Sequence, residues 1–377
     1  MKLLNGIVLQ AFLAGLTILC FVAVGEVSIR LLQYVKDGRP FLAFSYGSER
    51  LEEFHFRTVD PNLGWMTSAN QRQIYTSKDI ARVNHAVHYS TGRYGFRLYG
   101  DAKSSNTKIM IVGDSYTQAV DVSDDQTYYA KLKRDLSDQM PVEIFAYGAA
   151  GYGTLQEVMI VERHIEEISP DILILQVCTN DFINNSFELE SKSRFNNHYM
   201  PRPYLGTDGT ITIKIPQALF RRAMLWIASY SRFLQWVIYR FDNFIAVNKL
   251  AHTVEDDIRD QSTAHPGFMR AVALTDRLLE RLRSAVPAAT KIYAFQADNS
   301  QPFGTQPFSH EFEKLFARHG IIYIEGVAEA VTDASQKGQI VYALNEHWSS
   351  TGHTIVAEVL ANRLRRALIA SRSEKHK

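Results

Sequence analysis

Hydrophobic and polar positions divide the chain into stretches of different period. Residues 7–24, IVLQAFLAGLTILCFVAV, form one uncharged apolar run in which Gln10 and Thr17 are the notably polar side chains. A run of this length just reaches what a helix needs to cross a hydrocarbon core. It has no polar face with which to pack as an ordinary core helix. Residues 1–25 are therefore read as an uncleaved membrane anchor or a secretory signal peptide, with Ala23 and Gly25 as a small-residue cleavage pattern. Length and flanks favour the anchor. Residues 26–106 carry short alternating or aromatic-rich pieces separated by turn signals, DPNLGW at 60–65 and STGRYGF at 90–96, which predicts a small β-rich extension.

From residue 108 the pattern alternates between buried strand and amphipathic helix. Strands are predicted at 109–112, 142–146, 172–177, 291–295 and 321–324. Helices are predicted from a cap at Asp124 or Asp125 to about 136, and at 154–168, 268–285, 310–319 and 351–369. Such alternation implies a parallel sheet covered on both faces. The fold class is α/β: a three-layer α/β/α sandwich on a mostly parallel sheet. Residues 182–261 interrupt the alternation. They hold a hairpin whose second strand is 211–215, after Asp208-Gly209, and then a helical stretch over 217–247. That stretch carries Trp226, Tyr230, Phe233, Trp236, Tyr239 and Phe244 with Arg221, Arg222, Arg232 and Arg240. It reads either as a helix lying on a membrane surface or as a lid or flank of the sheet.

Composition narrows the function classes. A net charge of +1 with 46% hydrophobic residues, in a chain of 377, argues against a polyanion-binding surface and against disorder. Nucleic acid is not an expected partner. Cys20 and Cys178 make no disulfide framework, and the histidines show no ligand-spaced pair, so neither a metal nor a cofactor is expected. The run GAAGYG does not follow the first strand and lacks an acidic partner, which removes the dinucleotide-binding reading. Arg93 and Arg97 are candidates for contact with an anionic substrate, the alternative being solvated or paired surface arginines.

The chemistry centres on residues 108–117, KIMIVGDSYT. The apolar run stops at Gly113, and in an open α/β sheet ligands bind just beyond the carboxyl ends of the strands, so Ser115 is the candidate nucleophile. Three later stretches accompany it: AYGAAGYGT at 146–154, QVCTND at 176–181 and NEHWSSTGH at 345–353. With these four in this order the chain resembles the SGNH hydrolases, or GDSL-type esterases and lipases, over residues 107–370. The resemblance implies a flavodoxin-like sheet, an ester substrate such as an acylated glycan or lipid, and His347 as the base that takes the serine proton. It maps the oxyanion donors onto the backbone N–H groups of Ser115 and Gly151 and the side-chain amide of Asn180, with Asp114 and Asp181 in support. His353 and Trp348 are read as packing residues.

This sequence departs from the family pattern at one position that bears on rate. An aspartate normally precedes the catalytic histidine by two or three residues, and here those positions hold Asn345 and Leu344. Asn345 is expected to orient the ring through its amide oxygen without supplying a full charge. Cys178 and Ala146 also depart from the family's usual glycine and asparagine. The function read is a serine esterase, with an acyltransferase using the same site, or a weakened binding or envelope-assembly protein, as alternatives. Positive charge after the apolar run, Arg30, Lys36 and Arg39 against Lys2, favours a cytoplasmic domain. The resemblance implies the opposite: a single-pass membrane protein with an extracytoplasmic, periplasmic hydrolase domain.

Overall fold

The computed structural model describes residues 2–37, 41–42, 56–137, 140–193, 200–216, 223–224, 227, 230–247, 253–298 and 308–375. Internal contacts divide the chain into two units, residues 1–55 with 217–252 and residues 56–216 with 253–377.

In the first unit, helix Lys2–Asp37 continues well past the apolar run expected to end near residue 24. Residues 26–37 hold no glycine or proline, and Gly38 and Pro40 come only afterwards. The part long and apolar enough to cross a membrane is Phe12–Val35. Its one carboxylate, Glu26, is satisfied locally. It accepts from Arg30 Nε at 2.6 Å, from Ser231 Oγ at 2.8 Å and from the backbone N–H groups of Phe233 at 2.9 Å and Arg232 at 3.2 Å. Glu26 thus meets the unpaired donors that open helix Arg232–Val247. At Gly25 an added Cβ would lie 2.7 Å from the Phe233 ring, so the two helices meet where no side chain intervenes. Trp236, Val237, Phe241 and Phe244 are exposed on the second helix. Arg221, Arg222 and Trp226 of the expected 217–247 helix lie outside the described residues.

The second unit opens with two antiparallel hairpins, β1 (Arg57–Asp60) with β2 (Gly64–Thr67) and β3 (Arg72–Lys78) with β4 (Asn84–Ser90). Then follow β5 (Leu98–Tyr99), β6 (Thr107–Gly113), β7 (Val142–Gly148) and β8 (Ile172–Val177). The hairpin β9 (Arg202–Leu205) and β10 (Ile211–Lys214), then β11 (Lys291–Gln296) and β12 (Ile322–Tyr323), complete the strands. The central sheet has the order β12-β11-β8-β6-β7-β5, parallel throughout except for β5, which runs antiparallel to β7. This is a three-layer α/β/α fold with a mostly parallel six-stranded sheet.

Side chains alternate across the sheet. Ile109, Ile111, Ile144, Ala146, Ile172, Ile174, Tyr293 and Phe295 join a core with Tyr128, Leu132, Val331, Val356 and Leu360 from helices Tyr128–Ser137, Val327–Gln336 and Ser350–Lys375. The intervening Met110, Val112, Leu173 and Leu175 are fully buried as well, on the side where helices Thr154–Ile168 and Pro266–Ala285 pack against each other. Central strands buried on both faces explain their near-continuous apolar runs. Helices Val254–Gln261 and Val327–Gln336 were not expected from the sequence pattern.

Candidate active site

Strands β8, β6 and β7 are neighbours, and the segments that follow their carboxyl ends carry Asn180, Ser115 and Gly151 respectively. The chain turns sharply after β6. Asp114 caps the short helix Ser115–Gln118, its carboxylate accepting from the Tyr116 N–H at 3.0 Å. Gln176 on β8 holds the turn from beneath, accepting at Oε1 from the Asp114 N–H at 3.1 Å and the Thr117 hydroxyl at 2.8 Å. The turn lies directly on β7. A Cβ at Gly148 would come within 2.2 Å of the Gln118 nitrogen, so a larger residue there displaces the helix that carries Ser115.

His347 sits in a tight loop between helices Val327–Gln336 and Ser350–Lys375. The loop is closed by Ala343 N–H to His347 O at 2.7 Å and Ser349 N–H to Val341 O at 2.8 Å. Its outer edge pairs with the N-terminal extension through Leu344 N–H to Lys78 O at 2.8 Å and Ile80 N–H to Tyr342 O at 3.2 Å. The β3–β4 hairpin therefore buttresses the histidine loop. His347 Nε2 lies 2.7 Å from Ser115 Oγ, and the Tyr116 ring packs 5.0 Å from the imidazole. Nδ1 of His347 is buried and has no hydrogen-bond partner among the described residues.

Asn345 differs from the expectation. Its Oδ1 does not reach the ring but accepts from the His347 backbone N–H at 3.3 Å, while Nδ2 donates to Asp121 Oδ2 at 2.8 Å. The reason is chemical. A carboxylate only accepts, so Asp121 draws the NH₂ end of the amide to itself and turns Oδ1 towards the backbone.

Ser115 N–H, Gly151 N–H and Asn180 Nδ2 form no internal hydrogen bond among the described residues, and Asn180 Oδ1 is buried without a partner there. Gly151 adopts φ +79°, a left-handed conformation natural to glycine. The peptide linking Ala150 to Gly151 is held by its carbonyl, which accepts from Arg57 Nη2 at 2.7 Å and Trp65 Nε1 at 3.2 Å. In a trans peptide the N–H points opposite to the C=O, so these two donors fix the direction of the Gly151 N–H. Gln118 Oε1 accepts from the Ala150 N–H at 2.8 Å, and Arg202 donates to the Gly151 carbonyl. Next to Asn180, Thr179 is pinned by Asp298 through its N–H at 3.0 Å and its hydroxyl at 2.8 Å.

The GDSL-like lipase/acylhydrolase family profile matches residues 109–201. Within that segment the chain holds Ser115, Gly151 and Asn180. Its fold is similar to that of a lipolytic G-D-S-L family protein from Veillonella parvula, at 14% identity over 67% of this chain and 95% of that one, with TM-score 0.35. It is also similar to an acetylxylan esterase from Geobacillus stearothermophilus, at 11% identity over 69% and 94%, TM-score 0.35. A psychrotrophic esterase from Pseudoalteromonas gives 8% identity over 70% and 99%, TM-score 0.40. No curated protein matches the chain.

Under the candidate site lies a set of buried carboxyls. Burial pushes Asp114 up, burial and the Asp114 charge push Asp181 well up, and burial with both of those neighbours does the same for Glu157. Both Glu157 oxygens lack partners among the described residues. Each group has a higher pKa folded than unfolded, so above the unfolded value of ~4 the native state binds more protons than the unfolded chain, and stability falls as pH rises. Glu157→Gln is expected to raise the thermal midpoint more at pH 8 than at pH 5, read by calorimetry at the two pH values. An equal effect at both would show that Glu157 does not carry a retained proton.

The remaining candidates are accounted for by packing. The Cys178 thiol is buried and pushed well up by that burial, which removes it as a nucleophile. His353 is buried, its Nδ1 accepts from the Tyr128 N–H at 3.2 Å, and burial holds it neutral. Trp348 belongs to the core. Arg97 is buried, paired with Asp124 at 2.8 Å and donating to the carbonyls of Gln118, Ala119 and Val122, and Arg93 pairs with Glu167 at 2.7 Å. Arg97 therefore clamps the loop after the nucleophile. Asp121, Arg57, Trp65, Gln176, Arg202 and Asp298 were not singled out from sequence. For Trp65 a signal existed, since it closes the DPNLGW turn stretch at 60–65.

Proposed function

We propose that the chain is a serine esterase that cleaves an acyl ester, an O-acetyl group among the candidates, on a carbohydrate, lipid or small molecule. The observation that carries this reading is the 2.7 Å contact between Ser115 Oγ and His347 Nε2 at the carboxyl end of a central parallel strand. His347 takes the hydroxyl proton as Oγ attacks the ester carbonyl. The oxyanion that forms is met by Ser115 N–H, Gly151 N–H and Asn180 Nδ2. His347 then protonates the departing alkoxide, leaving an acyl-Ser115, which water attacks with His347 again acting as base. A sugar hydroxyl in place of that water gives the acyltransferase. A fluorophosphonate probe tests the reading: adduct is expected on Ser115 of the folded protein and lost in Ser115→Ala. A folded protein that takes up no probe would instead support a binding or envelope-assembly role, which the unpartnered His347 Nδ1 favours.

Helix Lys2–Asp37 supports a single-pass anchor, and the family resemblance supports an extracytoplasmic esterase domain. Deleting residues 1–37 is expected to move the protein from carbonate-washed membranes to the soluble fraction. Retention after the deletion would assign membrane binding to another segment, for which the exposed Trp236, Phe241 and Phe244 are the first candidates.

A further inference from the structure

We infer that Asp121 supplies the carboxylate that serves His347, acting through the amide of Asn345 as a positioning residue. The inference rests on the Ser115–His347 reading. When His347 takes the serine proton it becomes an imidazolium whose Nδ1–H needs an acceptor and a nearby negative charge. Among the described residues no carboxylate touches that nitrogen, and Asn345, two residues earlier, carries none. What Asn345 does carry is a bond of 2.8 Å to Asp121.

Asp121 is built to hold that position. It is 9% exposed, its other carboxylate oxygen accepts from Ser77 Oγ at 2.8 Å, and its backbone carbonyl meets His85 Nε2 at 3.1 Å. Its loop is clamped by Arg97 through the carbonyls on either side, Ala119 and Val122. The charge on Asp121 draws on the amide N–H and makes Asn345 Oδ1 a stronger acceptor. That oxygen now spends itself on a long 3.3 Å contact with the His347 N–H, a weak bond that it gives up as the ring gains a proton. Other ionisable groups surround the imidazole without replacing Asp121. Asp114 is pushed up by burial, His353 is held neutral by burial, Glu346 is exposed to screening water, and His85 faces the Asp121 carbonyl.

The test exchanges the two side chains, with kcat, KM and the pH profile of kcat/KM measured on an aryl ester. Asp121→Asn keeps the shape and removes the charge: kcat is expected to fall about tenfold with KM unchanged, and the acid limb to move about one unit lower as His347 loses its carboxylate. Asn345→Asp alone sets two carboxylates at hydrogen-bond distance, where they must share a proton, and is expected to lower kcat as well. The double exchange N345D/D121N places one carboxylate beside the histidine and one amide behind it. It is expected to restore kcat to at least the wild-type level and return the acid limb. A double variant no faster than either single, a faster Asn345→Asp, or an unmoved acid limb in Asp121→Asn would each overturn the inference. Fluorophosphonate labelling of wild-type Ser115 separates the two ideas: without it the serine reading itself fails, and with it only the role of Asp121 is at stake.

Discussion

Ser115→Ala is expected to take ester turnover to background, a loss of about 10⁶-fold in kcat, the scale seen when a serine hydrolase loses its nucleophile. In the proposed mechanism the hydroxyl oxygen bonds to the acyl group, and among the described residues no neighbouring group replaces it: the Cys178 thiol is buried and pushed well up, and the Tyr116 and Tyr128 hydroxyls are likewise pushed well above their usual range by burial. The fold should survive. Ser115 opens a four-residue helix capped by Asp114 and supported by Gln176, and none of those contacts uses the serine side chain. The check is the rate on a short-chain aryl ester together with the thermal midpoint. Loss of rate with an unchanged midpoint assigns the hydroxyl to chemistry, whereas rate retained in the variant would remove Ser115 from the mechanism.

The sheet was legible because its strands are buried on both faces, so β6, β7, β8 and β11 show as short apolar runs that end in turn residues. Helix Thr154–Ile168 was legible to the residue, since its apolar spacing runs unbroken to Ser169-Pro170. Two helices escaped for different reasons. Val254–Gln261, VEDDIRDQ, buries little, and its one signal is the Thr253 to Asp256 capping box. Val327–Gln336 spreads a narrow stripe of Val327, Ala328, Val331 and Ala334 among polar residues. Candidate site residues at strand ends were legible for the same reason as the strands. Contacts between distant segments were not: Asp121 meets Asn345 across 224 positions, and Arg57 meets Ala150 across 93. Local pattern holds no trace of such pairings, which exist only after the sheet has brought the segments together. The same holds for the β-rich extension, whose short alternating pieces were visible while their work of bracing the histidine loop and the Gly151 peptide was not.

Asn180→Ala is expected to lower kcat by about 10²–10³-fold with little change in KM, the effect of removing one donor from an oxyanion hole. In the proposed mechanism the donor acts on charge that develops only in the transition state, so ground-state binding should hardly notice it. A companion variant probes the second donor without touching it. Trp65→Phe deletes the indole N–H that reaches the Ala150 carbonyl at 3.2 Å, leaving Arg57 alone to hold that peptide. Trp65 is fully buried against Tyr152, and phenylalanine keeps an aromatic ring in the space. If the peptide is held by its carbonyl so that the Gly151 N–H points at the oxyanion, kcat should fall about tenfold while KM stays, because a slightly misplaced donor weakens transition-state binding alone. Combined with Asn180→Ala, the losses should multiply if the two donors act independently on one oxygen. A Trp65→Phe enzyme with full kcat and a lowered thermal midpoint would assign Trp65 to packing and leave Arg57 as the group that aims the peptide. A rise in KM for Asn180→Ala with kcat intact would move Asn180 from the oxyanion to the bound substrate.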